Sequence, residues 1–120
     1  MTQGKTAPIG HKILVVEDEV LICLMLEAIL SDAGYDVVLV NSVREALDAL
    51  DEGAFVAAIL DLNLKGEKVY PVAEKLIVAG TPFIFSTGGG REVDGYPDRP
   101  WIGKPFHEPE LVAAVAKLVG

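Results

Sequence analysis

Short runs of apolar residues alternate along this chain with longer stretches of helical composition, and this alternation limits the fold more than any other feature. The first run, Ile13–Val16, is wholly β-branched or aliphatic and ends at an acidic triplet, residues 17–19. A run without polar alternation is typical of a strand buried on both faces, as in a parallel sheet. Four later runs are predicted to be strands of the same sheet: Asp36–Val40, Phe55–Leu60, Pro82–Ser86 and Trp101–Gly103.

Helices are predicted between and after these strands. Ser42 and Glu45 have the spacing of a capping box, which marks a helix start. Gly34, Gly53 and Gly80 each follow a helical stretch, in the position where a helix commonly ends. The predicted helices are Val20–Ala33, Ser42 to about Glu52, Val72–Ala79 and Pro109–Val119.

Strands that alternate with helices form right-handed crossovers and a parallel sheet covered on both faces. The order of elements predicts an α/β fold with a flavodoxin-like, doubly wound sheet of five parallel strands. The stretch Leu62–Lys68, which contains Gly66, is predicted to be a loop. The glycine- and proline-rich stretch Thr87–Pro100 is predicted to be an ordered loop with at most a helical turn around Glu92. The helix between the fourth and fifth strands, the fourth of a regular alternation, is therefore expected to be short or missing.

Length and charge limit the classes of partner. The 120 residues suit one domain over residues 12–120, after a flexible lead-in over residues 1–11 that lacks the apolar segment of a signal peptide. A net charge of −8 argues against nucleic acid or an anionic membrane as direct partner. The longest apolar run, Val20–Leu26, is too short to span a bilayer. Its single cysteine, Cys23, is expected to pack in the core and fits a reducing, cytoplasmic compartment.

Unusual polar residues follow four of the predicted strands. Glu17 and Asp18 end the first strand, Asp61 ends the third, Thr87 ends the fourth and Lys104 follows the fifth. Ligands of such sheets bind outside the carboxyl ends of the strands, where these residues meet. Three carboxylates at close range repel one another unless a cation neutralises them, and Mg²⁺ prefers oxygen ligands. The residues therefore predict a magnesium site.

The same group suits a phosphoryl ligand. Lys104 supplies a positive charge for phosphoryl oxygens, Thr87 supplies a hydroxyl donor, and a carboxylate such as Asp61 is a competent nucleophile. Glu19 is expected to be a first-turn acid favoured by the helix dipole. His107 is expected to cap the last helix or face solvent.

Several motifs together resemble the receiver domain of bacterial two-component response regulators. They are the run Ile13–Glu19 before a helix, the strand end Ile59–Asn63, Thr87 at the end of the fourth strand, and Lys104–Phe106. The resemblance covers about residues 12–119. It implies that Asp61 is the phosphoacceptor.

Further roles follow from the resemblance alone. Asp18 and Asp61 would bind Mg²⁺ directly, Glu17 through water, and Asn63 through its backbone carbonyl. Thr87 would hydrogen-bond the phosphoryl group and Lys104 would pair with it. The aromatic switch residue that acts with Thr87 would be Trp101.

The fourth strand resembles a subgroup signature. The run Pro82–Gly88 is similar to that of the FATGUY receivers, mostly single-domain regulators of alphaproteobacteria, with Ser86 in place of the usual alanine. Gly89 and Gly90 depart from the end of that signature. A short or missing fourth helix would remove part of the surface through which receivers report phosphorylation and form dimers.

The resemblance implies a single-domain regulator that is phosphorylated by a histidine kinase or a phosphotransfer protein. The domain would catalyse its own phosphorylation and dephosphorylation without being an enzyme on other substrates. It would signal through protein contacts, by relay or as a phosphate sink, with dimerisation an open alternative. The apolar first helix would either dock a partner or widen the buried face under the last helix.

Two other classes of function stay open. A Mg²⁺-dependent phosphohydrolase with an aspartate nucleophile would need a second carboxylate two residues later, where this chain has Asn63. A phosphorylation-independent interaction module would have no use for the acidic set.

Overall fold

A computed structural model describes residues 11–88 and 93–120. The strands are β1 Lys12–Val16, β2 Asp36–Val40, β3 Ala57–Asp61, β4 Asn63–Leu64, β5 Glu67–Lys68, β6 Phe83–Thr87 and β7 Trp101–Gly103. Five parallel strands form the sheet in the order β2-β1-β3-β6-β7, and a separate antiparallel pair, β4 and β5, follows β3. The helices are α1 Val20–Asp32, α2 Val43–Glu52, α3 Tyr70–Ala79 and α4 Glu108–Val119. The predicted five-stranded α/β fold is confirmed.

Alternate residues of the central strands pack into two separate cores, one on each face of the sheet. Leu14, Leu60 and Phe85 pack on the face covered by α2 and α3. Val15 and Ile59 pack on the opposite face with residues of α1 and α4. This two-sided burial is the physical reason that the strand sequences show no polar alternation.

Local signals explain how the helices begin and end. The Ser42 hydroxyl accepts a hydrogen bond from the N–H of Glu45, and the Glu45 carboxylate accepts one from the N–H of Asn41. The reciprocal cap that the sequence predicted is therefore present, displaced by one residue on the return bond. Gly80 ends α3 in the left-handed conformation at φ 75°. His107 occupies the N-cap position of α4, but its side chain makes no capping hydrogen bond.

The prediction of a loop over residues 62–68 was wrong in part, because this stretch contains the hairpin β4–β5. Leu64 pairs with Glu67, so Lys65 and Gly66 form a two-residue connection, with φ 50° and 86°. Positive φ at both central residues is the geometry that matches the twist of a tight hairpin. Strands of two residues are too short to show a period in sequence, which is why the pattern could not predict them.

Residues 93–100 form turns and no helix, as predicted, with Val93 and Tyr96 bridged to each other. Tyr96 stacks on Tyr70, lies edge-on to Phe85 and donates a hydrogen bond to Glu74 of α3. Burial and this bond to Glu74 raise the pKa of Tyr96 to about 12. This aromatic contact covers part of the sheet face on which α2 and α3 also pack. Glu92, Gly89 and Gly90 lie outside the described residues.

The predicted flexible lead-in falls mostly on residues 1–10, which are also outside the described part of the chain. His11 lies against the ring of Tyr35, 5.7 Å between centroids. Over the described residues, each helix is too short or too polar to cross a bilayer.

Candidate functional site

Strand register gathers the polar residues at one edge of the sheet. Glu17 follows β1, Asp61 is the last residue of β3, Thr87 is the last residue of β6, and Lys104 follows β7. Because the four strands are parallel neighbours, these positions converge at their carboxyl ends. Glu17, Asp61 and Thr87 are buried, at 1%, 7% and 5% exposure.

Three carboxylates form the centre of the site. Oxygen atoms of Glu17, Asp18 and Asp61 all lie within 4.8 Å of one another. At this separation three negative charges repel one another. Such a set of oxygen donors matches what a hard divalent cation binds.

Lys104 is the cation that the structure places among them. Its Nζ is 3.1 Å from Oε1 of Glu17, 3.3 Å from Oδ1 of Asp61 and 3.8 Å from Oε1 of Glu19. Burial alone would lower the pKa of Lys104, but the hydrogen bond to Glu17 and the charge of Asp61 outweigh it, so that its pKa is raised. Lys104 therefore stays charged.

Glu17 is a buried carboxylate whose charged form is disfavoured at this site. Burial raises its pKa above 4.5, and the charge of Asp61 adds to this rise. The N–H of Glu19, 3.1 Å from Oε2, and the ammonium of Lys104 lower the pKa without cancelling the effect of burial. Keeping Glu17 charged at this site therefore lowers the free energy of unfolding.

The backbone fixes the ends of the strands that carry these groups. The N–H of Lys104 donates to the carbonyl of Thr87 at 2.9 Å, and the N–H of Glu17 donates to the carbonyl of Val40 at 3.0 Å. The Cys23 thiol donates to the carbonyl of Glu17 at 3.2 Å. Burial raises the pKa of Cys23, which keeps it a thiol. Cys23 is half-buried and supports the site, a role that its expected core position did not suggest.

Other predicted residues lie around this centre. Glu19 was expected in the first turn of α1, but it is the N-cap residue, and its carboxylate faces Lys104. Asn63 begins β4, two residues after Asp61. Trp101 is 38% exposed and lines a separate cleft of about 550 Å³ with Ala114 and other residues of α4 and the turns before β7.

Sequence reasoning gave little weight to Ser86. It lies beside Asp61 in the sheet register, is 1% exposed, and its hydroxyl has no hydrogen-bond partner among the described residues. The sequence carries a signal, since Ser86 interrupts an apolar run before Thr87, but only the register of β3 and β6 shows that Asp61 is its neighbour.

Comparison with known proteins agrees with this geometry. The family model described as the response regulator receiver domain matches residues 13–96. The chain belongs to the response regulator receiver domain family. Receiver domains are phosphoacceptor signalling domains of two-component systems rather than enzymes of the usual kind.

Individual receivers show the same relationship. The solution structure of SdrG from Sphingomonas melonis Fr1 has a TM-score of 0.82 and 41% identity, covering 94% of this receiver and 99% of that chain. The regulatory protein VanR of Enterococcus faecium is 36% identical over 114 residues, 88% of this receiver and 48% of VanR. This receiver spans about half the length of the curated relatives it matches.

A more distant receiver shares the fold alone. The receiver domain of sensor histidine kinase PA1611 from Pseudomonas aeruginosa PAO1 is 24% identical with a TM-score of 0.79, covering 92% of this chain and 98% of that one. In that structure a magnesium ion is coordinated in the active site cleft.

The raised pKa of Glu17 predicts a pH-dependent gain in stability for Glu17→Gln. Between the ordinary carboxyl pKa of 4.5 and its raised pKa in the folded protein, Glu17 binds more protons in the folded than in the unfolded state. Its destabilising effect therefore grows as pH rises through this range and then levels off. In chelator, the variant should gain about 1 kcal/mol in free energy of unfolding near neutral pH, the size typical of relieving a strained site. The gain should disappear near pH 4, where Glu17 is already protonated.

Urea unfolding at the two pH values measures this effect. Glu67→Gln, at an exposed position in β5, is the matched control for losing one negative charge. An equal gain at both pH values, or a loss near neutral pH, would contradict the electrostatic account of Glu17.

Proposed function

We propose that this receiver accepts a phosphoryl group on Asp61 from the phosphohistidine of a histidine kinase or a phosphotransfer protein. The observation that carries the proposal is the position of Asp61, a buried carboxylate at a strand end with Lys104 at 3.3 Å and two further carboxylates within 4.8 Å. In the transfer, an oxygen of Asp61 attacks phosphorus, the N–P bond breaks, and its electron pair returns to the imidazole. The product is an aspartyl phosphate.

Mg²⁺ is the cofactor that these donors fit. Glu17, Asp18 and Asp61 present carboxylate oxygens at one point, and Asn63 lies near enough in sequence to add its carbonyl. When bound, the ion supplies positive charge that offsets the phosphoryl oxygens and the carboxylates. Asp18 and Asp61 are the proposed direct ligands, and Glu17 is proposed to act through water.

Lys104 and Thr87 stabilise the charge that develops on the phosphoryl oxygens. Lys104 is held at the site by three ion pairs, and its backbone N–H is hydrogen-bonded to the carbonyl of Thr87. A preorganised ammonium costs no reorganisation when the phosphoryl group arrives. Thr87 is buried at the neighbouring strand end, where its hydroxyl is proposed to donate to the phosphoryl group. Trp101 stays a proposed switch residue.

Attack of water on phosphorus would hydrolyse the aspartyl phosphate and return the receiver to its unphosphorylated state. The P–O bond to Asp61 breaks, the carboxylate returns and inorganic phosphate leaves, so the receiver acts on itself and not on other substrates. The predicted outputs through protein contacts, relay or a phosphate sink, the cytoplasmic location, and dimerisation stay predictions.

Phosphorylation of Asp61 is tested by intact mass after incubation with acetyl phosphate or phosphoramidate and Mg²⁺. We expect one phosphoryl adduct per chain in the unaltered protein and none in Asp61→Asn, since an amide is a far weaker nucleophile than a carboxylate. Asp48→Asn, at an exposed position of α2, is the control and should be labelled normally.

Each contrary result identifies one of the other classes of function. Phosphate release without an adduct would favour a phosphohydrolase, and neither adduct nor release would favour a phosphorylation-independent interaction module. An adduct that still forms in Asp61→Asn would show that another residue is the phosphoacceptor.

An exposed apolar surface beside the site supports a protein as the phosphodonor. Val20, Leu21 and Leu24 of α1 are 70%, 81% and 55% exposed. α1 begins at Val20, directly after the acidic triplet, so this surface starts next in the chain to Glu17 and Asp18. Apolar surface next to a reactive group is typical of a docking site. We propose that the donor protein contacts it.

Leu21→Ser should slow transfer from a phosphorylated histidine kinase that labels the unaltered protein, by roughly tenfold, the loss expected for one buried anchor at an interface. Labelling by acetyl phosphate should not change, because the small donor needs no docking surface. Val78→Ser, at an 89% exposed apolar residue of α3, is the matched control. Equal rates for the two variants would exclude α1 as the docking surface.

A further inference from the structure

Ser86 is a buried polar residue in a strand that is otherwise apolar up to Thr87. Its relative exposure is 1%, and its hydroxyl has no hydrogen-bond partner among the described residues. Burying a hydroxyl without a partner costs free energy that an alanine would not. The hydroxyl of Ser86 is therefore unfavourable in this state, and any state that gives it a hydrogen-bond acceptor would stabilise it.

The register of the sheet places Ser86 beside the proposed phosphoacceptor. Asp61 of β3 pairs directly with Ser86 of β6, in strands about 4.8 Å apart. On its other side Ser86 pairs with Ile102, which has no polar side-chain atom. Asp61 is therefore the polar neighbour of Ser86 within this row of the sheet.

Alternation along the two strands puts both side chains on the same face. Ile84, two residues before Ser86, and Ile59, two residues before Asp61, both pack in the core under α1 and α4. Phe85 and Leu60 pack in the opposite core. Since side chains alternate in strict succession, Ser86 and Asp61 both face α1 and α4. Lys104 reaches Asp61 on this face too, at 3.3 Å.

We propose that Ser86 donates a hydrogen bond to a carboxyl oxygen of Asp61 and shortens the lifetime of the aspartyl phosphate. This inference rests on the proposed phosphorylation of Asp61. The oxygen concerned is the one not bonded to phosphorus. Phosphoryl oxygens attract Lys104, so phosphorylation reduces the competition of the ammonium for this oxygen. A carboxyl oxygen has two lone pairs, so it can accept from Ser86 and also face the proposed Mg²⁺.

The direction of the effect follows from charge. During hydrolysis a water oxygen bonds to phosphorus, the P–O bond to Asp61 breaks, and its electron pair becomes the negative charge of the carboxylate. That charge spreads over both carboxyl oxygens, so the acceptor of the Ser86 hydrogen bond becomes more negative. Hydrogen bonds to charged acceptors are stronger than those to neutral ones. Ser86 therefore stabilises the transition state more than the aspartyl phosphate, which accelerates hydrolysis.

The test compares decay of the adduct in the unaltered receiver, Ser86→Ala and Ser86→Thr. Each protein is labelled with acetyl phosphate and Mg²⁺, freed of the donor, and followed by intact mass. We expect Ser86→Ala to decay roughly three- to tenfold more slowly, the size of losing part of one charge-assisted hydrogen bond. Ser86→Thr keeps the hydroxyl and should decay at close to the original rate.

Two further measurements separate this role from a merely structural one. Ser86→Ala should unfold at the same or a higher urea concentration than the unaltered protein, because it removes an unpartnered buried hydroxyl. Its Mg²⁺ affinity, followed by Trp101 fluorescence or calorimetry, should not change. A stability loss together with weaker Mg²⁺ binding would assign Ser86 a packing role and overturn the proposal.

The remaining outcomes are also decisive. If the unaltered receiver forms an adduct and Ser86→Ala decays as fast or faster, the proposed phosphorylation stands and the role of Ser86 is wrong. Slow decay in both variants would show that the hydroxyl is not what matters. If the unaltered receiver forms no adduct, both proposals fail.

Discussion

Repulsion between carboxylates that the fold holds together is the constraint on which the rest of this structure depends. Glu17, Asp18 and Asp61 bring oxygens within 4.8 Å of one another, and two of the three residues are buried. Among the described residues, Lys104 places one positive charge beside them, which does not balance three negative charges. Burial is the largest cause of the raised pKa of Glu17, and the charge of Asp61 adds to the rise. A site with such an excess of negative charge has room for a divalent cation.

Strands and backbone hydrogen bonds close to the site hold the charged residues in place. Parallel strands buried on both faces bring four strand ends to one edge, and backbone hydrogen bonds join Glu17 to β2 and Lys104 to β6. The tight hairpin β4–β5 directly follows Asp61 and leads the chain back toward α3. Farther from the edge, Tyr96 covers Phe85 where a helix is absent from residues 93–100. The stability of the two cores supports a site that is itself unfavourable without a cation.

Much of this arrangement could be predicted from sequence because it depends on the order of apolar runs, their polar ends and the residues that mark helix ends. Apolar runs and their polar ends placed Glu17, Asp61 and Lys104 at one edge, and Ser42 and Gly80 marked helix ends as the structure has them. Other features depend on contacts that no period encodes. The hairpin is too short for a pattern, Glu19 turns toward Lys104 through tertiary contact, and Ser86 gains meaning only from its pairing with Asp61.

The response of thermal stability to Mg²⁺ tests the central claim most directly. A cation that binds only the folded receiver raises the unfolding temperature with its concentration. We predict such a rise for the unaltered protein, and its loss in Asp18→Asn, which removes one of the three carboxylates but leaves Lys104 and its ion pairs in place. Asp48→Asn should respond like the unaltered protein. A receiver whose unfolding temperature ignores Mg²⁺, or an Asp18→Asn variant that responds fully, would contradict the account.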